Sequence, residues 1–369
     1  VLTAQVALAH LERDAFEADT FSLSAQLERQ TNIFFQKAWI WSIGAELLAS
    51  DERDVIAATG EPRRRTFFIA ALPTSLTYDG SDDLLNPSRG FRIGGRLSPE
   101  LSLQDEVFGY TRAQLDASAY ASVRSNVVLA GRARVGTTLG SPGDAVAPSR
   151  RFYAGGGASV RGYGFQQIGP RDPSNDPIGG RSLAELSVEA RVRVFGDFGI
   201  VPFLDAGNIY TDALPRFTGM RFGTGLGVRY YSSFGPIRLD IPFNSGKTRF
   251  QGAEVSFTSF LDFEALPEWA KGFGLQANAT YVDSEGDLSP NFNDLLGGRR
   301  VPFNGVSKWS YNLVALYERP FFSARLAYNY RSKFVTGYTT ENLDVGPSPT
   351  DPTVIVPRVR GITERGRGQ

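Results

Sequence analysis

In the run from about Ser182 to Phe195, residues 184–194 alternate without a break between two kinds of side chain. One parity reads Ala184, Leu186, Val188, Ala190, Val192 and Val194. The other reads Glu185, Ser187, Glu189, Arg191 and Arg193. Successive residues of a strand point to opposite faces, so this period of two gathers every apolar group on one face and every charge on the other. In a soluble sandwich the apolar face would meet a core. In a membrane barrel it meets lipid, and the charged face lines the lumen. Length separates the two readings, because soluble strands run to about five or six residues and spanning strands need roughly nine to eleven.

Long alternating runs recur. Between Arg124 and Thr137, the residues Val127, Leu129, Ala133 and Val135 oppose Asn126, Arg132 and Arg134. Phe222, Leu226, Val228 and Tyr230 share a face, as do Ile237, Leu239, Ile241 and Phe243. Phe273, Leu275, Ala277, Ala279 and Tyr281 form another such set, and Phe322, Ala324, Leu326, Tyr328 and Tyr330 a further one. Short turn signals at Gly196-Asp197, Ser232–Pro236 and Glu318-Arg319-Pro320 imply antiparallel neighbours. The polar segments Ser141–Ser149, Gly164–Gly180, Asp283–Pro302 and Glu341–Pro357 are expected to be loops at the opposite rim, and acidic Ser50–Glu61 a further mobile loop. The expected fold class is all-β: a transmembrane antiparallel β-barrel of about 15–16 strands with a long inward-folded loop.

Composition agrees with this. No stretch approaches the roughly 18–20 consecutive apolar residues of a membrane helix, and a mean hydropathy of −0.20 suits strands whose two faces average out. The 40 glycines, 27 phenylalanines and 14 tyrosines suit tight turns and aromatic girdles. Zero cysteines remove disulfides, thiolate metal sites and thiol nucleophiles together. A net charge of zero gives no support to a nucleic-acid partner. With Met220 the only methionine and no signal-peptide pattern ahead of it, the chain is expected to be a processed form or a fragment.

Between two of these strands lies the glycine-rich segment RRFYAGGGASVRGYGFQQIGPRDPSNDPIGG, Arg150–Gly180. A loop this long inside a barrel has a task or is disordered. Glu189 sits on the polar parity of its strand, and Asp205 on the parity opposite Leu204 and Ala206. An arginine folded inward can meet both carboxylates, and guanidinium–carboxylate pairing is planar and bidentate. Arg161, set beside Gly162 and Tyr163, is the candidate for such a lumen lock.

FYAGGGASVRGYGFQQIGPRD, GGRSLAELSVEARV, VPFLDAGNIY and GTGLGVRYYSSFGPIRLDIPF resemble, in this order, the closing half of an Omp85-family barrel. The likeness is greatest to the branch that serves autotransporter assembly. TYDGSDDLLNPSRGFRIGG, with Asp79, Asp82, Pro87 and Gly90, resembles that family's earlier strand-and-turn motif. The resemblance covers about Val1–Phe243. It implies that Arg161, Gly162 and Tyr163 form the family's arginine-glycine-aromatic motif on an extracellular loop tucked into the lumen, with Glu189 and Asp205 as acidic partners. It further implies a place in the Gram-negative outer membrane, in contact with lipid. Client outer-membrane proteins or autotransporters are the expected partners, with a periplasmic or inner-membrane partner where POTRA domains lie upstream.

Beyond Phe243 the pattern departs. GAEVSF, GFGLQANATYVDSEGD and FSARLAYNYRSK resemble late barrel strands of a TonB-dependent receptor over about Asn244–Tyr338. The chain is therefore expected to comprise two segments, 1–243 and 244–369, joined near Phe243–Lys247 and ending in a polar tail. About eleven strands from the first and four or five from the second reach the size of known barrels. Import of an iron chelate by the receptor-like part is a competing expectation, and a structural barrel without activity of its own is another.

Other signals point elsewhere less well. Gly246-Lys247-Thr248 lacks the glycine that a phosphate-binding loop needs five residues earlier, where Ile241 stands. His10 is the sole histidine, which argues against a His-based triad or metal site. Asp79, Asp82 and Asp83 read as a solvated turn more readily than as a calcium site, and Glu185 and Glu189 as lumen lining rather than an acid–base pair. No enzyme, cofactor or metal is expected.

Overall fold

The computed structural model describes residues 2–13, 15–29, 38–103, 107–141, 144–173, 175–232, 235–243, 249–260, 267, 272–285, 307–319, 322–339, 345–347, 355–357, 360–364 and 367–368. The proposed junction at 244–247, the Gly246-Lys247-Thr248 triplet and most of Asp283–Pro302 lie outside them.

The described residues form two compact units, one of Val1–Val192 with Phe203–Gly223, the other of Arg193–Pro202 with Thr224–Gln369. In the first unit β1 (Leu2–Glu12), β2 (Glu17–Arg29), β3 (Trp39–Val55), β4 (Pro62–Ala71), β5 (Thr74–Asp79), β6 (Gly90–Ser102), β7 (Phe108–Arg124) and β8 (Val127–Leu139) form an antiparallel meander leading into β9 (Ser182–Phe195). β10 (Phe198–Tyr210) pairs with β9. β4 and β5 are two halves of one spanning segment, since both pair with β3 and with β6 in one unbroken register. Pro73 divides them, because it has no N–H to donate to the ladder.

β11 (Arg221–Ser232) runs from the first unit into the second. There it continues through β12 (Gly235–Phe243), β13 (Arg249–Phe260), β14 (Phe273–Glu285), β15 (Trp309–Arg319) and β16 (Phe322–Arg331), each antiparallel to its predecessor. Two short hairpins follow, β17 (Phe334–Thr339) with β20 (Arg360–Glu364) and β18 (Val345–Pro347) with β19 (Ile355–Pro357), and β21 (Arg367–Gly368) pairs with β16. The supposed polar tail is therefore partly strand, and so are the ends of the loop expected at Glu341–Pro357. Among the described residues the one helical element is a single turn, Pro148–Arg150, and no helix is long and apolar enough to cross a membrane.

Burial is inverted relative to a soluble protein. On β9, Leu186 and Val188 are 45% and 57% exposed while Glu185 and Glu189 are buried. On β11, Phe222, Leu226, Val228 and Tyr230 are exposed and Arg229 is buried. Ile43 and Leu47 of β3, Phe91, Ile93 and Leu97 of β6, and Phe21, Leu23 and Leu27 of β2 are likewise exposed. Soluble monomers rarely carry so much contiguous apolar surface, whereas lipid solvates it. Aromatic rings cluster at strand ends as a girdle requires: Trp39 lies 5.0 Å from Tyr78, Tyr78 5.4 Å from Phe91, and Phe198 4.9 Å from Tyr230.

Ser50–Glu61 is not a mobile loop. β3 continues to Val55, and only Ile56–Glu61 turn. Glu52 and Asp54 face the polar side, opposite Arg65 and Arg63 of β4 in the register, and both are buried there. The acids extend the strand because their partners lie beside and above them.

Candidate functional site

The polar faces of β3 to β10 carry the segment that runs from Gly140 to Arg181, and three sets of charges fasten it. Nearest its start, Arg63 donates to Asp54 (2.8 Å) and to Asp144 (2.6 Å), Arg65 donates to Asp54 (2.9 Å), and Arg151 lies within 3.3 Å of Asp54. The Arg63 guanidinium beside Asp144 holds that carboxyl below the usual carboxylate range. The Ser149 amide donates to Glu52 at 2.9 Å. Arg150 bridges Glu46 (2.7 Å) and Glu100 (3.7 Å). These anchors seat the helical turn Pro148–Arg150, whose neighbour Ala147 packs on Phe67 and Ile69.

From there the chain crosses the sheet as a glycine-rich strap. Phe152, Ala154, Val160 and Ile168 bury with Leu183 of β9 and Ile209 of β10. Burial of one such large side chain is worth about 1.5–3 kcal/mol relative to exposure. Arg132 of β8 donates to the carbonyls of Ala158 (2.6 Å) and Ser159 (2.8 Å), and the Ser159 hydroxyl donates to Glu185.

The tip holds Arg161, which is 5% exposed. Its Nε and Nη2 donate to the two oxygens of Asp205 at 2.6 and 2.7 Å, and its own amide donates to Asp205 Oδ2 at 3.1 Å. Nη2 also reaches the Ser187 hydroxyl (3.2 Å), and Nη1 reaches Glu189 Oε2 at 3.4 Å. The guanidinium lies over the Phe203 ring, 3.6 Å from its centroid, a favourable seat for a cation. Gly162 holds φ +89°, a left-handed turn for which glycine is the natural residue. Tyr163 donates to the Phe222 carbonyl (3.1 Å) and packs on the apolar cluster. Bare backbone on the strands makes room: a Cβ on Gly223 would sit 2.1 Å from the Arg161 carbonyl oxygen.

Phe203 and the whole Glu52–Asp54 anchor are not named by the sequence pattern, and Ser187 and Arg132 are placed by it on polar faces but not as partners of the loop. One signal was present, since Phe203 shares the parity of Asp205, and Ser187 that of Glu189.

The strand-and-turn residues gather in the turn that joins β5 to β6. Asp82 accepts from the Ser88 and Arg89 amides (2.8 and 2.9 Å) and from the Ser88 hydroxyl (2.5 Å). Desolvation pushes the Asp82 carboxyl up, but these bonds, led by the Ser88 hydroxyl, bring it down to about 2. Asp83 caps the amides of Leu85 and Asn86, and Asp79 pairs with Arg92 at 3.0 Å. The carboxylates thus hold their own turn. Gly90 (φ +92°) admits no side chain, as its Cβ would fall 2.1 Å from the Gly80 carbonyl oxygen, and Pro87 is buried. At the β1–β2 hairpin exposed His10 and Asp19 lie close to half-buried Glu17; His10 is hydrogen-bonded to Asp19 (2.7 Å) and Glu17 accepts from Arg53 (3.0 Å).

The Omp85 superfamily domain matches residues 12–261. The chain belongs to this superfamily. The outer membrane protein assembly factor BamA of Nitratidesulfovibrio vulgaris is 34% identical over 146 residues, which are 37% of this chain and 18% of that protein. The crystal structure of BamA from Haemophilus ducreyi lacking POTRA domains 1–3 has the same fold, with a TM-score of 0.54 and 16% identity, over 66% of this chain and 54% of that one. The chain therefore spans well under two thirds of the length of these relatives. The shared fold is an all-β antiparallel barrel. The ferric yersiniabactin uptake receptor FyuA of Yersinia pestis aligns over 94% of this chain and 53% of its own at 12% identity, but its TM-score of 0.35 carries no argument for the receptor reading of 244–338. Superfamily and fold, with the exposed apolar strand faces, indicate a bacterial outer-membrane location.

Proposed function

We propose that this chain supplies the barrel of an outer-membrane protein assembly or translocation factor, and that Arg161 locks the long loop inside it. The observation that carries the reading is the buried, two-pronged contact of Arg161 with Asp205 over the Phe203 ring. It pins the tip of the glycine-rich strap against the charged faces of β9 and β10, beyond the anchors at its start. Superfamily membership supports the assembly role. The partners that follow are lipid, unfolded client barrels including autotransporters, and a periplasmic or inner-membrane factor engaged through any POTRA segment.

In this reading the lock keeps the interior filled and the wall rigid while a client strand is handled, and the glycines let the strap shift without breaking its anchors. The test is reconstitution of the chain in lipid vesicles with an unfolded autotransporter barrel, following client folding by its heat-modifiable gel shift. The chain is expected to accelerate client folding over empty vesicles, and Arg161→Ala to remove most of that gain. Folding no faster than in empty vesicles would overturn the assembly role. Full acceleration by a folded Arg161→Ala chain would overturn the role of the lock.

A further inference from the structure

Glu189 has a second cation. Its Oε2 faces Arg161, while its Oε1 accepts from Arg191 Nε at 2.7 Å. Arg191 lies two residues further along the same face of β9. Its Nη1 donates to the carbonyl oxygen of Pro87 at 3.0 Å, within the turn that joins β5 to β6. Its guanidinium also lies over the Tyr120 ring of β7 (5.4 Å), where Arg92 of β6 contributes a second cation at 5.8 Å. Arg92 in turn is held by Asp79 and by the carbonyls of Asp83 and Leu84. Ser122 of β7 donates to the Ser88 carbonyl at 3.2 Å.

The loop and the turn enter from opposite ends of the strands. β8 pairs its Val127 end with Val192 and its Thr137 end with Ser182. The turn at 80–89 lies beside the first of these ends and the root of the strap beside the second. Arg161 and Pro87 thus approach Glu189–Arg191 from opposite rims, and one two-residue step of β9 touches both.

We propose that Arg191 is a positioning residue that couples the 80–89 turn to the Arg161 lock. An arginine suits the task, because its planar fork can serve a carboxylate on one side and a carbonyl on another at once. When the turn is seated, Pro87 and Tyr120 hold Arg191 so that it fixes the Glu189 carboxylate in the orientation that meets Arg161. When the turn lifts, Arg191 is released and Glu189 can turn from the lock. The link runs equally the other way, since coupling between two sites is reciprocal. A conformational signal at one rim is thereby carried to a loop rooted at the other. The inference rests on contacts alone and stands whether or not the chain assembles clients.

The chain has no cysteine, so single-cysteine labelling of the full chain folded in lipid vesicles tests it. Val160→Cys reports the strap, Val160 being fully buried, and Asn86→Cys reports the turn. Asp82→Ala, which loosens the turn, is expected to raise maleimide labelling at position 160 by about 5-fold or more, and Arg161→Ala to do the same at position 86. With Arg191→Gln, or with Arg191→Lys should the glutamine variant fail to fold, each perturbation is expected to raise labelling only at its own end. The Lys variant keeps the charge beside Glu189 but lacks the planar fork that spans the carboxylate and the Pro87 carbonyl. Absence of the distant effect in the wild-type background would overturn the proposal, as would its persistence in a folded Arg191 variant.

Discussion

Replacing Asp205 with Asn separates charge from shape at the centre of the lock. The carboxylate accepts four bonds: from Arg161 Nε (2.6 Å), Arg161 Nη2 (2.7 Å), the Arg161 amide (3.1 Å) and the Ser187 hydroxyl (2.6 Å). A carboxamide has one oxygen, so whichever way it turns, its NH2 faces an Arg161 N–H. At least one donor–acceptor pair becomes donor–donor, and Arg161 loses the negative charge nearest to it. Breaking one partner of a buried ion pair costs about 3–5 kcal/mol. At 1.4 kcal/mol per tenfold, the open population of the strap should rise on the order of 100- to 4,000-fold. Glu189→Gln should do far less. Glu189 stands 3.4 Å from Arg161, against 2.6 Å for Asp205, and the amide oxygen of a glutamine can still accept from one arginine. Loss of one such bond is worth about 1 kcal/mol, or less than about tenfold. Initial rates of maleimide labelling at a Val160→Cys reporter measure both on one scale. Labelling that rises more with Glu189→Gln than with Asp205→Asn would refute the geometric reasoning, as would labelling unchanged by Asp205→Asn.

Three further outcomes follow from the same structure. Gly223→Ala should loosen the strap by about 1–3 kcal/mol through overpacking, because its Cβ would lie 2.1 Å from the Arg161 carbonyl; Gly95→Ala, with open space at its Cβ, serves as the neutral comparison, and protease cutting within the strap reads both. Leu186→Lys or Val188→Lys should destabilise the folded chain in vesicles by about 2–4 kcal/mol if those half-exposed positions face hydrocarbon, whereas in a water-facing surface the change would stay within about 0.5 kcal/mol; denaturant titration in lipid decides. The turn at Asp82 should open in acid. Its folded-state value of about 2 lies below the ordinary 3.8, so the charged form's contribution is complete above about pH 4 and is lost as pH falls through 2. Labelling at Asn86→Cys should rise over that window, and Asp82→Asn should weaken that dependence on pH.

Strand identity and facing were legible because period two is a local property. The bounds read for β9 from alternation alone, Ser182–Phe195, are those of the folded strand, and the apolar parity names the exposed face residue by residue. What covers the other face was not legible, since its contacts join residues far apart in the chain. Acid density at Ser50–Glu61 reads as solvation until Arg151, 97 residues on, reaches Asp54. The Pro87 carbonyl meets its donor 104 residues later. Arg161 stood out because its setting is unusual, a lone cation among glycines. Phe203 beneath it did not, because an aromatic ring on a strand normally needs no explanation.

That difference has a physical root. A soluble core is filled by apolar groups that any apolar neighbour satisfies, so its packing is forgiving and its pattern general. Here most apolar strand positions are turned outward, and beside small apolar clusters the interior face is held by ions and hydrogen bonds, which are directional and must be matched partner by partner. An acid at Glu52, Asp54, Glu185 or Asp205 is stable inside only because a specific arginine or hydroxyl arrives from another element. Such an interior favours one placement of the strap over near alternatives. It is also sensitive to single moves, because displacing one cation leaves a specific carboxylate without its partner, at a cost of about 3–5 kcal/mol while that group stays buried. In the proposed assembly role, an interior held by such separable contacts would let the strap move while the backbone pairing of the wall stays in place.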